Sequence, residues 1–586
     1  MRTRTWRAVA IAGALSLAVL TNAPAVKAIT PQVLNVCPTG ASDDPATTGP
    51  AVACPAGAFS SIQAAVNAAN PGDWVLVAPG IYHEKAGNGE GVTITKAGLH
   101  LRGLDRNGVV VDGTNQNAHG ACSTSAADQD TSGSNGVVVH KADGTSIENL
   151  TVCNYLNGAN AQGNEIWWNG GDGSGTIGLN AYTGAYITGT TTYSDPQHAP
   201  QYGIFVSNSR GPGVISYAYA ANMSDSAFYV GACPDCNATL NHVHAENSAL
   251  GYSGTNAGGH LLIENSEWDL NKDGVVPNSL NNDDAPPPQS GACPSPGTGN
   301  CTVITGNLVH DNNNPNVPGA GIANAGPIGT GIELSGASYD TVSNNVVYNQ
   351  NSWGILINDY PDTETPPVSG VSHCQGGVQT GVQGTPSYLC TFRSVGDIVS
   401  NNTLFHNGAF GNATNGDLAL ESTVATPADC FYGNVNVLPQ QATNPNNPNN
   451  DTGGVSSDPP MLQASQAVAA QGTGGPCPAA STGDSTVLIA QLACASGLFG
   501  QCPNTAVANY PQQTAVTLLP LSHQDGMSNP CAGVPDNAWC SGGQLVLSAP
   551  TNVAEAPLLL GLPLSAAAVA ALAIRRSSRR RRAAGA

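Results

Sequence analysis

The 586 residues are enough for a large buried core, and only 10% of them are charged, while Gly (70) and Pro (41) are abundant. That mixture suits short strands joined by tight turns and excludes a wholly disordered chain. The net charge of −21 is concentrated in the body, because ten of the 18 basic residues lie in the first 27 and the last 12 positions. Such an acidic body repels phosphate backbones, which argues against a nucleic-acid partner.

The elements follow in chain order. Residues 1–28 read as a signal peptide: Arg2, Arg4 and Arg7 precede the apolar run Ala8 to Leu20, and Ala23, Ala25 and Ala28 supply small residues for cleavage. Residues 29–58 form a lead-in. From Ser60, one helical face of Ile62, Ala65, Val66 and Ala69 is closed by Pro71-Gly72, predicting a helix from Ser60 to Asn70. The strand Trp74 to Ala78 follows directly, then Pro79-Gly80-Ile81-Tyr82. This stretch, SIQAAVNAANPGDWVLVAPGIYHE, resembles the N-terminal cap and first coil of right-handed parallel β-helix proteins of the pectate-lyase-like superfamily. The resemblance implies an all-β solenoid over residues 59–437 whose open end the helix covers. It also implies a site on the outer face of one sheet and in the loops beside it.

The repeat is visible without the resemblance. Gly178-Leu-Asn-Ala, Gly203-Ile-Phe-Val, Ala227-Phe-Tyr-Val, Gly251-Tyr-Ser-Gly, Gly274-Val-Val-Pro, Gly331-Ile-Glu-Leu and Gly354-Ile-Leu-Ile recur at intervals in the low twenties, broken by one long insertion. Their apolar second positions (Leu179, Ile204, Phe228, Tyr252, Val275, Ile332, Ile355) are expected inside, and the third positions outside. A second ladder, Ile304-x-x-Asn307-x-Val309-x-x-Asn312, recurs around Asn345 and around Asn402 with Asn407, which predicts stacked turns.

After residue 437 the pattern dissolves into Asn-Pro-Asn-Asn-Pro-Asn-Asn450, and residues 438–556 read as a low-complexity stalk stapled by some of the chain's 16 cysteines. In an exported chain those cysteines are expected to pair, with Cys233 and Cys236 as a loop staple. Residues 557–574 form an uncharged run just long enough to cross ~30 Å of hydrocarbon. The six arginines within residues 575–586 would hold that end in the cytoplasm. The expected address is the extracellular face, with the C-terminal segment as membrane anchor.

The chemistry is less defined. The polygalacturonase-like set needs Gly-His-Gly and Arg-x-Lys, and neither occurs. Lys272-Asp273, Asp225, Asp283-Asp284 and Glu333 fall on or beside aligned coils. Asp273, Asp283, Asp284 and Glu333, with Lys272, are therefore the candidate catalytic set for acid–base work, and their oxygens also suit Ca²⁺. Phe205 and Tyr229, outward on successive coils, are the candidate sugar-stacking pair. His242, His244 and Glu246 have metal-ligand character on one strand, and Tyr193-Ser-Asp195-Pro-Gln-His198 resembles an element of mannuronan epimerases. No cofactor is specified by the sequence. The expected partner is a polysaccharide or cell-surface glycan, modified by hydrolysis, elimination or epimerisation. A non-catalytic structural or adhesive module is the alternative.

Overall fold

The computed structural model describes residues 30–38, 49–280 and 301–361 apart from a few loop positions, then parts of 378–436, four residues within 492–496, and 510–547. Three parallel sheets of 12, 11 and 10 strands run the length of the body. The chain visits them in strict rotation. Gly213–Ser216 lies in the first sheet (A), Tyr219–Ala221 in the second (B), Ser226–Gly231 in the third (C), and Ala238–Asn241 is back in A. Each strand pairs in register with its counterpart one coil away, as in Ile204↔Phe228 and Phe228↔Tyr252. This is the right-handed parallel β-helix expected from the sequence.

One apolar column fills the interior. All seven aligned second positions are buried in it, from Leu179 to Ile355. In sheet C the residue just before the buried apolar one is small in six of the aligned coils (Gly203, Ala227, Gly251, Gly274, Gly331, Gly354), because it turns the corner against the neighbouring sheet. At Gly203 a Cβ would sit 2.7 Å from the Ala220 Cβ, and at Gly251 2.9 Å from the Asn271 amide, so larger side chains are excluded there. The first aligned unit was misplaced by this criterion. Gly178-Leu-Asn lies in the connection after Asn164–Asn169, and the true coil is Asn164-Glu-Ile-Trp167. Glu165 occupies the glycine site there, which hid the coil from a glycine-led alignment.

The asparagine repeats are hydrogen-bonded columns at the corners. Asn307 Nδ2 donates to Asn345 Oδ1 (3.0 Å), Asn345 to Asn402 (3.0 Å) and Asn402 to Asn434 (2.9 Å). Each amide also donates to a strand carbonyl, as Asn345 does to Ile304 O. A parallel column replaces amide with carboxyl: the Asp340 N–H donates to Asp397 and the Asp397 N–H to Asp429.

The short helix Ile62–Ala68 is N-capped by the Ser61 hydroxyl and buries Ile62, Ala65 and Val66 in the interior column. It lies against Val33–Val36, Trp74–Val77 and Glu90–Ile94.

The stalk expectation fails where it can be checked. Residues 510–546 lie along the solenoid, running back from its C-terminal coils to the first. Asn222 exchanges two hydrogen bonds with the Leu519 backbone (3.0 Å each), and Asn107 does the same with Gln524. Arg106 Nη1 donates to Asp525 O and Arg102 Nη1 to Ala532 O. The strap ends in a knuckle closed by Cys531–Cys540, whose Trp539 and Val534 are buried with Trp74, Leu76 and Leu104. Composition pointed to a stalk because the strap has almost no secondary structure of its own; corner asparagines and buried arginines supply its partners instead. The proposed signal and membrane segments lie outside the described residues. Among the described residues no helix is long and apolar enough to cross a membrane. None of the described cysteines is free, and Cys233–Cys236 is the short staple expected, beside Cys37–Cys54 and Cys122–Cys153.

Candidate functional site

Strand alternation turns four consecutive coils of sheet B into a polar strip. In Tyr219–Ala221, His244–Glu246, Glu267–Asp269 and Leu308–His310 the middle residues Ala220, Ala245, Trp268 and Val309 are buried in the core. The flanking residues therefore face outward. Register sets His244 beside Glu267, and Glu246 beside Asp269 and then His310.

Two imidazole–carboxylate nodes result. His244 Nε2 lies 2.8 Å from Asp269 Oδ1 and 3.9 Å from Glu246 Oε1, and Tyr219 OH donates to Glu246 Oε2 at 2.7 Å. On the next coil, His310 Nε2 lies 3.1 Å from Glu267 and its Nδ1 2.9 Å from Asp311. Burial lowers both histidines, but the carboxylates outweigh it. Asp269, Glu246 and Glu267 hold His244 above its ordinary 6.5, and Asp311 and Glu267, with Asp269, do the same for His310. His310, Tyr348 and Phe405 continue the strip as parallel rings 4.9 and 4.8 Å apart.

The sequence found His244 and Glu246 but paired them with the wrong third group. His242 sits at a corner with φ of 54°, exposed and stacked on Tyr217, so it does not share the strand face. Asp269, Glu267 and His310 come from neighbouring coils. The spacing of Glu267-Trp-Asp269 against His244-Ala-Glu246 was the signal available.

The candidate acid set is partly assembled, on sheet C. Asp273 and Glu333 face outward on adjacent coils and are both buried. Burial and the Glu333 charge push Asp273 well up, and burial also raises Glu333. Burial lowers Lys272 to about 8, and its ammonium donates to Asn324 O. The connection through Val317, Ala323 and Gly326 covers all three: Val317 and Ala323 pack on Leu250 and Val276, and a Cβ at Gly326 would lie 3.2 Å from Asp273 Oδ2. This is a covered acid pair, not an open cleft. Asp283 and Asp284 lie outside the described residues. Asp225 bonds Ser226 and Tyr202, and burial pushes it to about 6.

Phe205 and Tyr229 do face outward, but Phe205 is sandwiched between Trp167 (5.0 Å, 13°) and Tyr202 (4.3 Å, 21°), and Tyr229 meets it edge-on (4.8 Å, 87°). With 9% and 4% exposure, neither ring presents a flat face to a sugar. Tyr193, Asp195 and His198 form a self-contained turn, with His198 Nδ1 2.9 Å from Asp195.

No protein-family model matches the chain, and no curated protein does. Solved structures do match at low similarity. The A-module of a mannuronan C-5 epimerase from Azotobacter vinelandii is 12% identical over 70% of this chain and 91% of its own, with a TM-score of 0.34. A pectate lyase is 15% identical (64% and 77% covered, TM-score 0.32), and the Dettilon tailspike protein 13% (70% and 67%, TM-score 0.33). The chain is thus similar to β-helix proteins of this kind, and its own sheets carry the fold assignment. Likeness at this level assigns no activity.

Proposed function

We propose that the protein binds an extended polysaccharide along the outer face of sheet B and hydrolyses it there. The carrying observation is the pair of imidazole–carboxylate nodes on three consecutive coils, a linear polar strip whose repeat of ~4.8 Å per coil suits a linear polymer. Asp311 and Glu267 favour the protonated form of His310, which would give a proton to a leaving oxygen in exchange for its bond to Glu267, while Glu246 or Asp269 beside His244 would take a proton from the attacking water. Elimination or epimerisation of a uronate is less well served, because it needs a cation over the sugar carboxylate. Arg106, the base that interacts with Tyr219, is buried with its donors taken by Thr188, Ile187 O, Tyr217 O and Asp525 O. A neutral glycan is therefore the expected substrate.

The test is a panel of neutral and anionic polysaccharides incubated with the full chain, measuring binding and new reducing ends together. Binding and products on a neutral polymer, with products lost in His310→Gln and Glu246→Gln, support hydrolysis. Binding without products would overturn hydrolysis and support the adhesive alternative, and no binding to any polymer would overturn both. The address belongs to the same proposal: export is supported by the disulfides, and anchoring by the apolar run at 557–574. Truncation after residue 556 should release the protein into the medium, and continued membrane retention would contradict the anchor.

A further inference from the structure

We propose that His244, Glu246 and Asp269 form a binding site for one divalent first-row transition-metal ion, with Zn²⁺ the best fit. One nitrogen and two carboxylate oxygens from these residues all lie within 4.8 Å of one another. Ligand atoms around a tetrahedral Zn²⁺ sit roughly 3.3 Å apart when bonds are ~2.0–2.1 Å, so modest rotamer changes close the set. The backbone does not have to move, since Ala245 and Trp268 anchor both strands in the core.

Three further features favour a cation over a simple ion pair. Glu246 has its second oxygen held by the Tyr219 hydroxyl, a partner outside the set that fixes the first oxygen toward His244. The strip carries four carboxylates (Glu246, Glu267, Asp269, Asp311) against two imidazoles, so even with both histidines protonated it keeps an uncompensated negative charge. Asp269 is only 8% exposed, where bulk water screens that excess poorly. An imidazole in the set selects against Ca²⁺ and Mg²⁺, which take oxygen ligands, and favours Zn²⁺ or its neighbours. Binding must displace any proton on His244 Nε2, so occupancy should fall as pH drops below neutrality.

This inference does not rest on the glycan reading, because it is measured with the metal alone. Where both hold, Glu246 and Asp269 would serve as ligands and not as bases, and the ion would instead activate the water by lowering its pKa beside His310, on the coil that follows Asp269. The experiment is calorimetric titration of the chelator-treated full chain with ZnCl₂ and, separately, CaCl₂, with Co²⁺ absorption reporting the ligand field. One Zn²⁺ per chain, at least tenfold weaker in His244→Gln and in Asp269→Asn, is expected. His260→Gln, in an exposed His260–Asp235 pair elsewhere, should bind as the parent does. Circular dichroism of each variant separates lost ligation from lost folding, and a Zn²⁺-dependent rise in Tm confined to chains with an intact site is the second readout. Absence of Zn²⁺ binding, binding unaltered by His244→Gln, or Ca²⁺ bound as tightly as Zn²⁺ would each overturn the proposal. Glycan hydrolysis by a chain that binds no metal would leave the proposed function standing and this site refuted.

Discussion

At the scale of the residue, the decisive contrast is between carboxylates that face water with a histidine and carboxylates sealed with one another. His310 sits between Asp311 and Glu267, both of which stabilise its protonated form. Its value is raised above the ordinary 6.5, so its contribution to stability is complete below 6.5 and is lost as pH rises through the higher folded-state value. Imidazole NMR should show His310 titrating above 6.5, with Asp311→Asn moving the midpoint down; a midpoint at or below 6.5 in the parent would contradict this electrostatics. Asp273 and Glu333 illustrate the opposite case. Sequence alignment placed them on adjacent coils correctly, yet nothing in the local sequence disclosed that residues around Val317 and Ala323 would fold over them.

At the scale of the element, corner columns show how one position can be filled by two chemistries. In the Asn307–Asn345–Asn402–Asn434 column each amide both donates and accepts, so the buried stack is satisfied, each bond contributing ~1 kcal/mol net. In the Asp340–Asp397–Asp429 column the carboxyls accept backbone N–H groups but crowd one another. Burial, then the charges of Asp429 and Asp340, raises Asp397 well above its ordinary value, and burial pushes Asp340 to about 8. The folded-state values lie above the unfolded ones, so the column is most stable when protonated and loses stability as pH rises from about 4 toward 8. Asp397→Asn should therefore stabilise the protein at pH 8 by about 1 kcal/mol and flatten the decline of Tm between pH 5 and 8. A variant less stable than the parent at pH 8 would contradict it. The asparagine column was legible in the sequence because its spacing recurs with a fixed apolar pattern. The aspartate column carries the same signal, since Asp340, Asp397 and Asp429 each stand five residues before Asn345, Asn402 and Asn434, but carboxyls stacked in a buried corner are not what the asparagine repeat leads one to expect.

At the scale of the whole molecule, the solenoid was legible from glycine, apolar and asparagine periodicities, because each coil repeats the same steric problem at the same corner. The strap was not. Residues 510–546 carry no periodicity, and their place is fixed by distant groups such as Asn107, Asn222, Arg102 and Arg106. The candidate site was half legible for the same reason: His244 and Glu246 are two residues apart, whereas Asp269 and His310 join them only once the coils stack. The strap also bears on that site, because Ser522 interacts with Tyr219 at the N-terminal end of the strip. A bound chain is thereby expected to extend toward the coils of His310 and Tyr348. The most direct measurement is a crystal structure of the full Glu246→Gln chain with an oligosaccharide from the polymer it binds. The account predicts sugar density over His244, Asp269 and His310 with a glycosidic oxygen within hydrogen-bond reach of the His310 imidazole. Density confined to the outer face of sheet C, or to the strap, would contradict it.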